Sequence, residues 1–268
     1  MSAAPGRVIW IASYPKSGNT WVRFLVCNLV FGPVESAASL AERIPDLHEL
    51  QAAPEPAPGL CFLKTHFPYG PRLPLLERSA AAIYVVRDPG DVLVSNFHYA
   101  RRSSGAMGGA GADAGTDDFE QYAEAFIGAG GDPRWIRLGM GSWLENVRAW
   151  QGAQARIPML WVRYEDLLRD AAGFARLLCG RLGIARSAEE IAAAVAASSF
   201  ERLRAIEEAD IAAQRSGIFY KPYLQGAIDA GLRFMRSGQA GAARTLPPLQ
   251  QQRFDARFGA LRRELGYG

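Results

Sequence analysis

A short apolar strand that runs straight into a glycine-containing loop and then a helix is the most constraining feature of this sequence. Residues 7–13, RVIWIAS, are mostly β-branched and aromatic, which predicts a buried strand that ends before Gly18. From Asn19 the apolar residues recur with helical spacing until Gly32. A helix that begins directly after a buried strand points its free N–H groups at whatever lies beyond the strand, so this junction is a candidate anion site.

Further strand and helix patterns alternate along the rest of the chain. Strands are predicted at 60–66, 81–87 and 159–164, and helices at 117–127, 139–151, in an Ala-rich stretch up to about residue 207, and at 250–264. The Gly-rich stretches 103–116 and 209–232 are predicted to be mobile loops, the second lying in a longer irregular region, 209–247. This alternation predicts the α/β class, with a parallel β-sheet flanked by helices in a single domain over 1–268.

Composition and charge exclude several classes of protein. Of 268 residues, 49% are hydrophobic and 21% are charged, as in ordinary globular proteins, and 30 basic residues nearly balance 27 acidic ones. We therefore expect no nucleic-acid partner and no membrane partner. The three cysteines indicate neither a disulfide framework nor a metal site, and no signal peptide or membrane span is recognised, which favours the cytoplasm.

Lysine is scarce, which makes each lysine informative. Only Lys16, Lys64 and Lys221 occur among the 30 basic residues. Lysine is a compact point charge, whereas arginine is a planar fork, so the two are not interchangeable at a binding site.

The loop after the first strand contains Lys16 among groups that bind oxyanions. Gly18 allows close approach to the backbone, and the polar groups of Ser17, Asn19 and Thr20 can bond phosphate oxygens. The motif is not a Walker A loop, because Lys16 precedes the glycine instead of following it. An ordinary strand-to-helix turn with an exposed lysine is the alternative for this segment taken alone.

Two more strand ends carry reactive or anion-binding side chains. Lys64 and His66 are two residues apart at the end of the second strand, so they should face the same side, near the first loop. Arg87 ends the third strand, and Asp91 and Ser95 share one face of the helix that follows. Arg87 offers a bidentate fork for a phosphate, although a pair between Arg87 and Asp91 that only locks the turn is also possible.

These motifs, and YPKSGNTW at 14–21 above all, closely resemble those of sulfotransferases that use 3′-phosphoadenosine 5′-phosphosulfate (PAPS). The resemblance runs from about residue 8 to 258 and implies the P-loop-like sulfotransferase fold. It implies transfer of a sulfuryl group to the hydroxyl of a small-molecule acceptor, with adenosine 3′,5′-bisphosphate (PAP) as product and no metal. Several segments look like bacterial sulfotransferases of glycopeptide antibiotics.

The resemblance also implies a role for each matched residue. His66 would be the general base, Lys64 would contact the sulfuryl group and Lys16 the leaving phosphate. The remaining donor-binding positions would be Ser17, Gly18, Asn19 and Thr20 in the first loop, Arg87 and Ser95 at the 3′-phosphate, Trp21, Tyr164, Ser198 and Phe200 around adenine, and Arg236, Ser237 and Gly238 in a C-terminal clamp. Ser237 and Ala243 depart from the lysine and tryptophan of the family pattern.

The acceptor and two other functions stay open at this point. Phe219, Tyr220, Lys221 and Tyr223, with the 103–116 loop, are candidates for the acceptor mouth and lid. A P-loop-type kinase with Asp88 as the magnesium carboxylate is one alternative, and a PAP-binding module without catalysis is another. The misplaced lysine disfavours the kinase, and the pairing of Lys64 with His66 disfavours the binding module. The oligomeric state is not indicated.

Overall fold

The centre of the molecule is a four-stranded sheet in which every pair of neighbours is parallel. We describe the chain from a computed structural model, which covers residues 6–52, 54, 59–103, 118–241 and 246–268. The strands are β1 (Arg7–Ser13), β2 (Leu60–Thr65), β3 (Ser79–Val86) and β4 (Met159–Arg163), in the spatial order β2-β1-β3-β4. The predicted parallel α/β sheet is therefore confirmed.

Helices occupy most of the remaining described chain. They are α1 (Asn19–Phe31), α2 (Ala37–Arg43), α3 (Pro89–Ser103), α4 (Phe119–Ala129), α5 (Pro133–Arg137), α6 (Trp143–Ala153), α7 (Tyr164–Arg169), α8 (Ala171–Leu182), α9 (Ala188–Ala197), α10 (Phe200–Ala212), α11 (Gln225–Asp229) and α12 (Pro248–Glu264). Single 3₁₀ turns lie at Leu76–Arg78 and Pro222–Leu224. None of the helices in the described ranges has both the length and the apolar character needed to cross a bilayer.

Apolar side chains are buried on both faces of the sheet. Val8 and Trp10 of β1 face a cluster that includes residues of α3, α4, α6 and α12, whereas Ile9 and Ile11 face a cluster with residues of α1, α2, α8, α9 and α10. Strands covered on both faces read as continuous apolar runs, which is why β1 shows no alternation of polar residues in the sequence.

The strand order creates a crevice beside β1. The chain leaves β1 toward β2 on one side and returns to β3 on the other, so the order reverses between β1 and β3. In open parallel sheets, ligands bind beyond the carboxyl ends of the strands at such a reversal. The loop after β1 and Arg87, which follows β3, both lie at this point.

The predicted irregular stretch 209–247 is wrong in part. Helix α10 continues to Ala212, and the 3₁₀ turn and α11 follow within the same stretch. Tyr220, Leu224 and Ile228 form a small apolar cluster with Ile211, and this packing supports the helical turns despite the nearby glycines. Of the predicted loop 103–116, residues 104–116 lie outside the described part of the chain.

Candidate active site

The loop between β1 and α1 is shaped by two residues with left-handed backbone. Lys16 has φ of 69° and Gly18 has φ of 97°. A Cβ on Gly18 would lie 2.4 Å from Cδ2 of Tyr164, so only glycine fits between the loop and that ring. Trp21 meets the same ring edge to face, with 5.7 Å between the centroids. The first loop and Tyr164 are thus in direct contact.

Polar atoms in this loop are buried, and two of them, the Ser17 hydroxyl and Oδ1 of Asn19, have no partner within the described chain. The Ser17 hydroxyl is fully buried and makes no hydrogen bond within the described chain. Asn19 donates from Nδ2 to the carbonyl of Ile11 at 3.1 Å and to the Ser13 hydroxyl at 3.2 Å, which fixes the first turn of α1 against β1. Thr20 is partly exposed beside it. A buried hydroxyl without a partner at a helix N-terminus fits a site for phosphate oxygens.

The ammonium of Lys16 lies between two aromatic rings. Its Nζ is 4.4 Å from the centroid of Tyr99 and 4.0 Å from that of Phe234. Burial, together with the positive charges of Arg102 and Arg87, lowers the pKa of Lys16 to about 7 against the opposing charge of Glu207. A partly buried cation beside two other cations favours an anionic ligand.

The ammonium of Lys64 is held in a buried ion pair. Its Nζ lies 2.8 Å from Oδ2 of Asp46, and both side chains are less than 10% exposed. Burial lowers the pKa of Lys64, and the charge of Asp46 offsets only part of that effect. Burial opposes ionisation of Asp46, but Lys64 and Arg23 outweigh it and hold the pKa of this carboxyl below its usual range. The structure therefore places Lys64 near His66 but with its charge already paired.

His66 is bonded to the end of β1. Its Nδ1 is 2.8 Å from the carbonyl oxygen of Ser13 and 3.3 Å from the Ser13 hydroxyl. Because a carbonyl oxygen only accepts, Nδ1 carries the proton in the neutral ring, and Nε2 then has a free lone pair. Burial lowers the pKa of His66 well below its ordinary value, and the neighbouring Lys64 and His48 lower it further. These surroundings favour the neutral form of the His66 ring.

Arg87 lies at the carboxyl end of β3, against the ring of Tyr164. The guanidinium carbon is 4.2 Å from the ring centroid, and Nη2 donates to the carbonyl of Gln239 at 2.6 Å. The Arg87 Nε is buried without a partner among the described residues. Asp91 lies 3.7 Å from Nη2 and also accepts from the N–H of Gly241, so it links α3 to the C-terminal segment. The Arg87–Asp91 pair, which was the alternative interpretation of this turn, is therefore present, and it leaves the Nε of Arg87 without a partner among the described residues.

The C-terminal segment brings a second guanidinium to Arg87. Partial burial lowers the pKa of Arg236, and the nearby charge of Arg87 lowers it further. Two cations this close favour a multiply charged anion between them. Ser237 is partly exposed next to Arg236, and Ser95 is partly exposed on α3.

Phe200 and a buried carboxylate hold this segment against α10. Gly238 has φ of 62°, and a Cβ there would lie 2.7 Å from Cδ2 of Phe200. Glu207 is fully buried, and its carboxylate accepts from the N–H groups of Phe234 at 2.6 Å and Met235 at 2.8 Å. This anchor places the Phe234 ring under Lys16. The clamp position Ala243 lies outside the described residues.

Two groups of predicted site residues differ from expectation. The hydroxyl of Ser198 is fully buried, donates to the carbonyl of Ala194 and accepts from Asn28, both at 2.8 Å, so it joins α9 to α1 instead of facing a pocket. Phe219 and Tyr220 are buried in apolar clusters and do not line a mouth. Of the predicted acceptor-mouth residues, Lys221 and Tyr223 reach the surface; Lys221 donates to Glu49 at 2.8 Å.

Asp88, the magnesium carboxylate of the kinase alternative, is already engaged. Its Oδ2 accepts from Arg262 at 2.9 Å, and its Oδ1 accepts from the N–H of Gly90 at 2.8 Å. This arrangement caps α3 and ties it to α12. Across the described ranges, no three His, Cys, Asp or Glu side chains are grouped so as to hold a metal ion.

Sequence reasoning did not assign Asp46, His48, Glu207 or the Lys16 ring pair to the site. Histidine is rare, with His48, His66 and His98 in the whole sequence, and the spacing of His48 from Asp46 equals that of His66 from Lys64. That matched spacing was the one available signal. The other contacts join residues far apart in the chain, and no local pattern reveals them.

Proteins of known sequence and structure share this arrangement of strands and loops. The chain is 27% identical to human sulfotransferase 2B1 over 212 residues, covering 74% of this chain and 52% of that protein. It is 30% identical to rabbit sulfotransferase 1C2 over 206 residues, covering 72% of this chain and 64% of that protein. The matched region thus spans about half to two thirds of the length of these relatives.

Solved structures of low sequence identity have the same fold. Mouse sulfotransferase SULT7A1 in complex with PAP superposes with a TM-score of 0.67 at 21% identity, covering 98% of this chain and 86% of that one. Retinol dehydratase in complex with androsterone and PAP superposes with a TM-score of 0.67 at 19% identity, covering 95% of this chain and 80% of that one. The sequence model of the sulfotransferase domain matches residues 7–266. Nearly the whole chain is covered by that match, and the chain belongs to the sulfotransferase family.

Proposed function

We propose that the chain is a PAPS-dependent sulfotransferase that transfers a sulfuryl group to a hydroxyl of a small-molecule acceptor. Family membership supports sulfuryl transfer, and the structural neighbours crystallised with PAP support this nucleotide as the product. The proposal includes one sulfotransferase domain of bacterial type over 1–268, no metal ion, and a cytoplasmic location. The three cysteines are unpaired, which agrees with a reducing compartment.

The contact between His66 and Ser13 is the observation that carries this proposal. It joins the end of the strand that leads into the phosphate loop to a histidine whose Nε2 is left as an acceptor. A protein that only binds a nucleotide has no use for a neutral base fixed beside the loop. A kinase would need a free carboxylate where Asp88 is paired with Arg262.

The residues around the loop fit the proposed donor. The hydroxyl of Ser17, the N–H groups at the start of α1 and the ammonium of Lys16 would hold the 5′-phosphosulfate. Arg87, whose Nε lacks a partner, and Arg236 would hold the 3′-phosphate, with Ser95, Ser237 and Gly238 beside them. Trp21 and Tyr164 are in contact and Phe200 lies against Gly238, which supports these three residues as parts of an adenine pocket, whereas the Ser198 hydroxyl is already bonded.

Bound PAPS would supply an activated sulfuryl group. His66 would accept the proton of the acceptor hydroxyl at Nε2 while the acceptor oxygen forms a bond to sulfur. The bond between sulfur and the 5′-phosphate oxygen then breaks, and Lys16 stabilises the charge that develops on that oxygen. Lys64 would act on the sulfuryl oxygens from its position two residues before His66, through a charge shared with Asp46.

A transfer assay with two forms of the protein tests the proposal. The wild-type protein is incubated with labelled PAPS and a panel of phenols, steroid alcohols, sugars and hydroxylated peptides, and the same panel is repeated with His66→Ala. We expect transfer to at least one hydroxyl class, and a loss of about 10²–10⁴ in kcat for the variant. The dissociation constant of PAP should be the same for both proteins.

The outcomes separate the alternatives. Tight PAP binding without transfer to any hydroxyl would favour the non-catalytic module. Magnesium-dependent turnover of ATP would favour the kinase. A His66→Ala protein that binds PAP and turns over at the wild-type rate would remove His66 from the mechanism.

A further inference from the structure

A segment before β2 lies alongside the free edge of that strand. The N–H of Lys64 donates to the carbonyl of Pro45, and the N–H of Leu47 donates to the carbonyl of Lys64, both at 2.9 Å. Asp46 and Lys64 form a parallel bridge. Residues 45–47 therefore lie along the strand end, and a turn follows that is closed by the bond from the Glu49 N–H to the Asp46 carbonyl at 3.0 Å.

This pairing places two side chains of the segment against two side chains of the proposed site. The Asp46 carboxylate accepts from the N–H of His48 at 3.0 Å, so the turn holds these two residues together beside Lys64 and His66. Asp46 bonds the Lys64 ammonium at 2.8 Å. His48 bonds the backbone N–H of His66 at 2.7 Å, through Nε2.

His48 holds His66 in two ways. Its ring lies nearly parallel to the His66 ring, with 5.4 Å between centroids and 24° between planes, and it packs on Phe67 at 4.5 Å. The other side of the His66 backbone is also fixed, because Asn146 donates from Nδ2 to the His66 carbonyl at 2.7 Å. Both polar groups of the His66 main chain are therefore bonded by side chains.

We propose that His48 is a positioning residue for His66, which sets the orientation of the base through the backbone N–H and the stacked ring. The inference rests on the proposed function, in which His66 Nε2 receives the acceptor proton. His48 itself touches neither donor nor acceptor in this scheme. It keeps the His66 ring where Nδ1 reaches the carbonyl of Ser13.

The surroundings of His48 keep its Nε2 available as an acceptor. Burial, together with the charge of Lys64, lowers the pKa of His48 to about 4 against the opposing charge of Asp46. The charged or titratable groups that face His66 are Lys64, His48 and Asp46. A carboxylate at position 48 could also accept the N–H, but it would add a negative charge beside the base and raise its pKa.

Substitutions at position 48 can separate the hydrogen bond from the packing. His48→Phe keeps a stacked ring and loses the acceptor, whereas His48→Gln loses the ring and keeps an oxygen at the place of Nε2. We expect His48→Phe to lower kcat about 10- to 100-fold, because a small misplacement of a reacting group has effects of this size. We expect His48→Gln to stay within about threefold of wild type and the donor KM to change less than about twofold in both, since the donor contacts are untouched.

A comparison of His48→Asn with His48→Gln tests the role of the hydrogen bond if His48→Phe does not fold. The side chain of His48→Asn is too short for its oxygen to reach the N–H of His66, so this variant should lose activity that His48→Gln keeps. Leu50→Ala, an exposed side chain two residues further along, is the matched control and should turn over as wild type. Equal activity of the Phe, Asn and Gln variants, at wild-type or at reduced level, would overturn the proposal.

A measurement without turnover distinguishes this inference from the proposed function. In protein labelled with ¹⁵N at histidine, long-range ¹H–¹⁵N correlation should show His66 protonated at Nδ1 in wild type and in His48→Gln. In His48→Phe, a mixture of tautomers should appear. An unchanged His66 spectrum in His48→Phe would reject the positioning role. The expected spectra with no transfer by the wild type would reject the proposed function alone.

Discussion

Lys16 and Lys64 stand near the carboxyl ends of neighbouring strands, yet their surroundings are opposite. Lys64 is buried against Asp46, with 2.8 Å between the charged atoms. Lys16 lies between the faces of Tyr99 and Phe234, with Arg87 and Arg102 nearby and no carboxylate at ion-pair distance within the described chain. Aromatic faces stabilise a cation by about 0.5–2 kcal/mol each, which holds the ammonium in place but does not cancel its charge.

The difference shows how the two ends of the site divide their work. At the loop end, Lys16 lies near Arg87 and Arg102 and has no carboxylate at ion-pair distance within the described chain, which favours a multiply charged anion there. At the His66 end, the Lys64 ammonium, the His66 Nδ1 and both main-chain polar groups of His66 already have protein partners, while Nε2 is left as an acceptor, so that end is held in place before any ligand arrives. Two of the few lysines in the sequence are thus used differently: Lys16 lies against aromatic rings, and Lys64 is paired with a carboxylate.

Replacing Lys16 with arginine is expected to have the largest effect. Lys16→Arg keeps the charge, but the planar guanidinium is larger than an ammonium and does not fit the space between the two rings in the same way. We expect kcat/KM to fall about 10²-fold, the scale of a lost oxyanion-stabilising group. Lys64→Arg should also impair transfer, by less, because its charge is shared with Asp46. Initial rates with labelled PAPS measure both.

A charge-preserving swap at the surface controls for these variants. Arg148→Lys alters an exposed pair with Glu264 and should leave turnover unchanged. Wild-type rates in both lysine variants would show that the choice of lysine has no chemical meaning here. If kcat/KM fell more in Lys64→Arg than in Lys16→Arg, the unpaired charge of Lys16 would not be the more important of the two.

Removing the partner of Lys64 should mainly affect stability. Asp46→Asn leaves a buried ammonium without a carboxylate, which we expect to lower the free energy of unfolding by about 3 kcal/mol at pH 7. The folded protein then binds this proton more weakly than the unfolded chain does. The deficit should therefore shrink as the pH rises from 7 toward the pKa of an unfolded lysine, about 10.4.

Urea unfolding at pH 7 and pH 9.5 measures this deficit. Asp255→Asn removes a carboxylate that is about half exposed and lies 3.5 Å from Arg262, and it should cost about 0.5 kcal/mol or less. An Asp46→Asn protein as stable as wild type would mean that Lys64 needs no partner. If the loss in free energy of unfolding did not change with pH, it would come from altered packing and not from the unpaired charge.

Local patterns predicted the parts of this site that are contiguous in sequence. The strands and the first loop were readable because β1 is buried on both faces and Gly18 lies between the strand and the helix. The same patterns gave a wrong position for Phe219, whose ring stacks on that of Phe24 in α1 with 6.1 Å between the centroids. An aromatic residue in a glycine-rich stretch has the same local sequence pattern whether it packs in the core or lines a pocket entrance. Ser198 was misplaced for a similar reason, since its partner Asn28 is 170 residues away.

Contacts between distant segments account for most of what the sequence did not reveal. Glu207 bonds the backbone of Phe234 and Met235 from another helix, and only the fold brings them together. Asp46 and His48 reach β2 along its edge, across a proline-rich stretch that carries no strand signal of its own. Such contacts depend on the path of the main chain, which residue periodicity does not define.

The smallest expected effect is a proton taken up when PAP binds. With a pKa of about 7, Lys16 is largely neutral at pH 8 in the unbound protein. A phosphate beside it would favour the charged form and raise that pKa. Calorimetric titration in buffers of different ionisation enthalpy should therefore show uptake approaching one proton at pH 8 and little proton uptake at pH 6.

The phosphates of PAP also titrate near pH 6, so Lys16→Met, which cannot take up a proton at this position, measures the contribution of the phosphates to the uptake. Equal uptake by both proteins at pH 8 would mean that Lys16 is charged before PAP arrives, as Lys64 is beside Asp46, and that the contrast between the two lysines lies in packing alone.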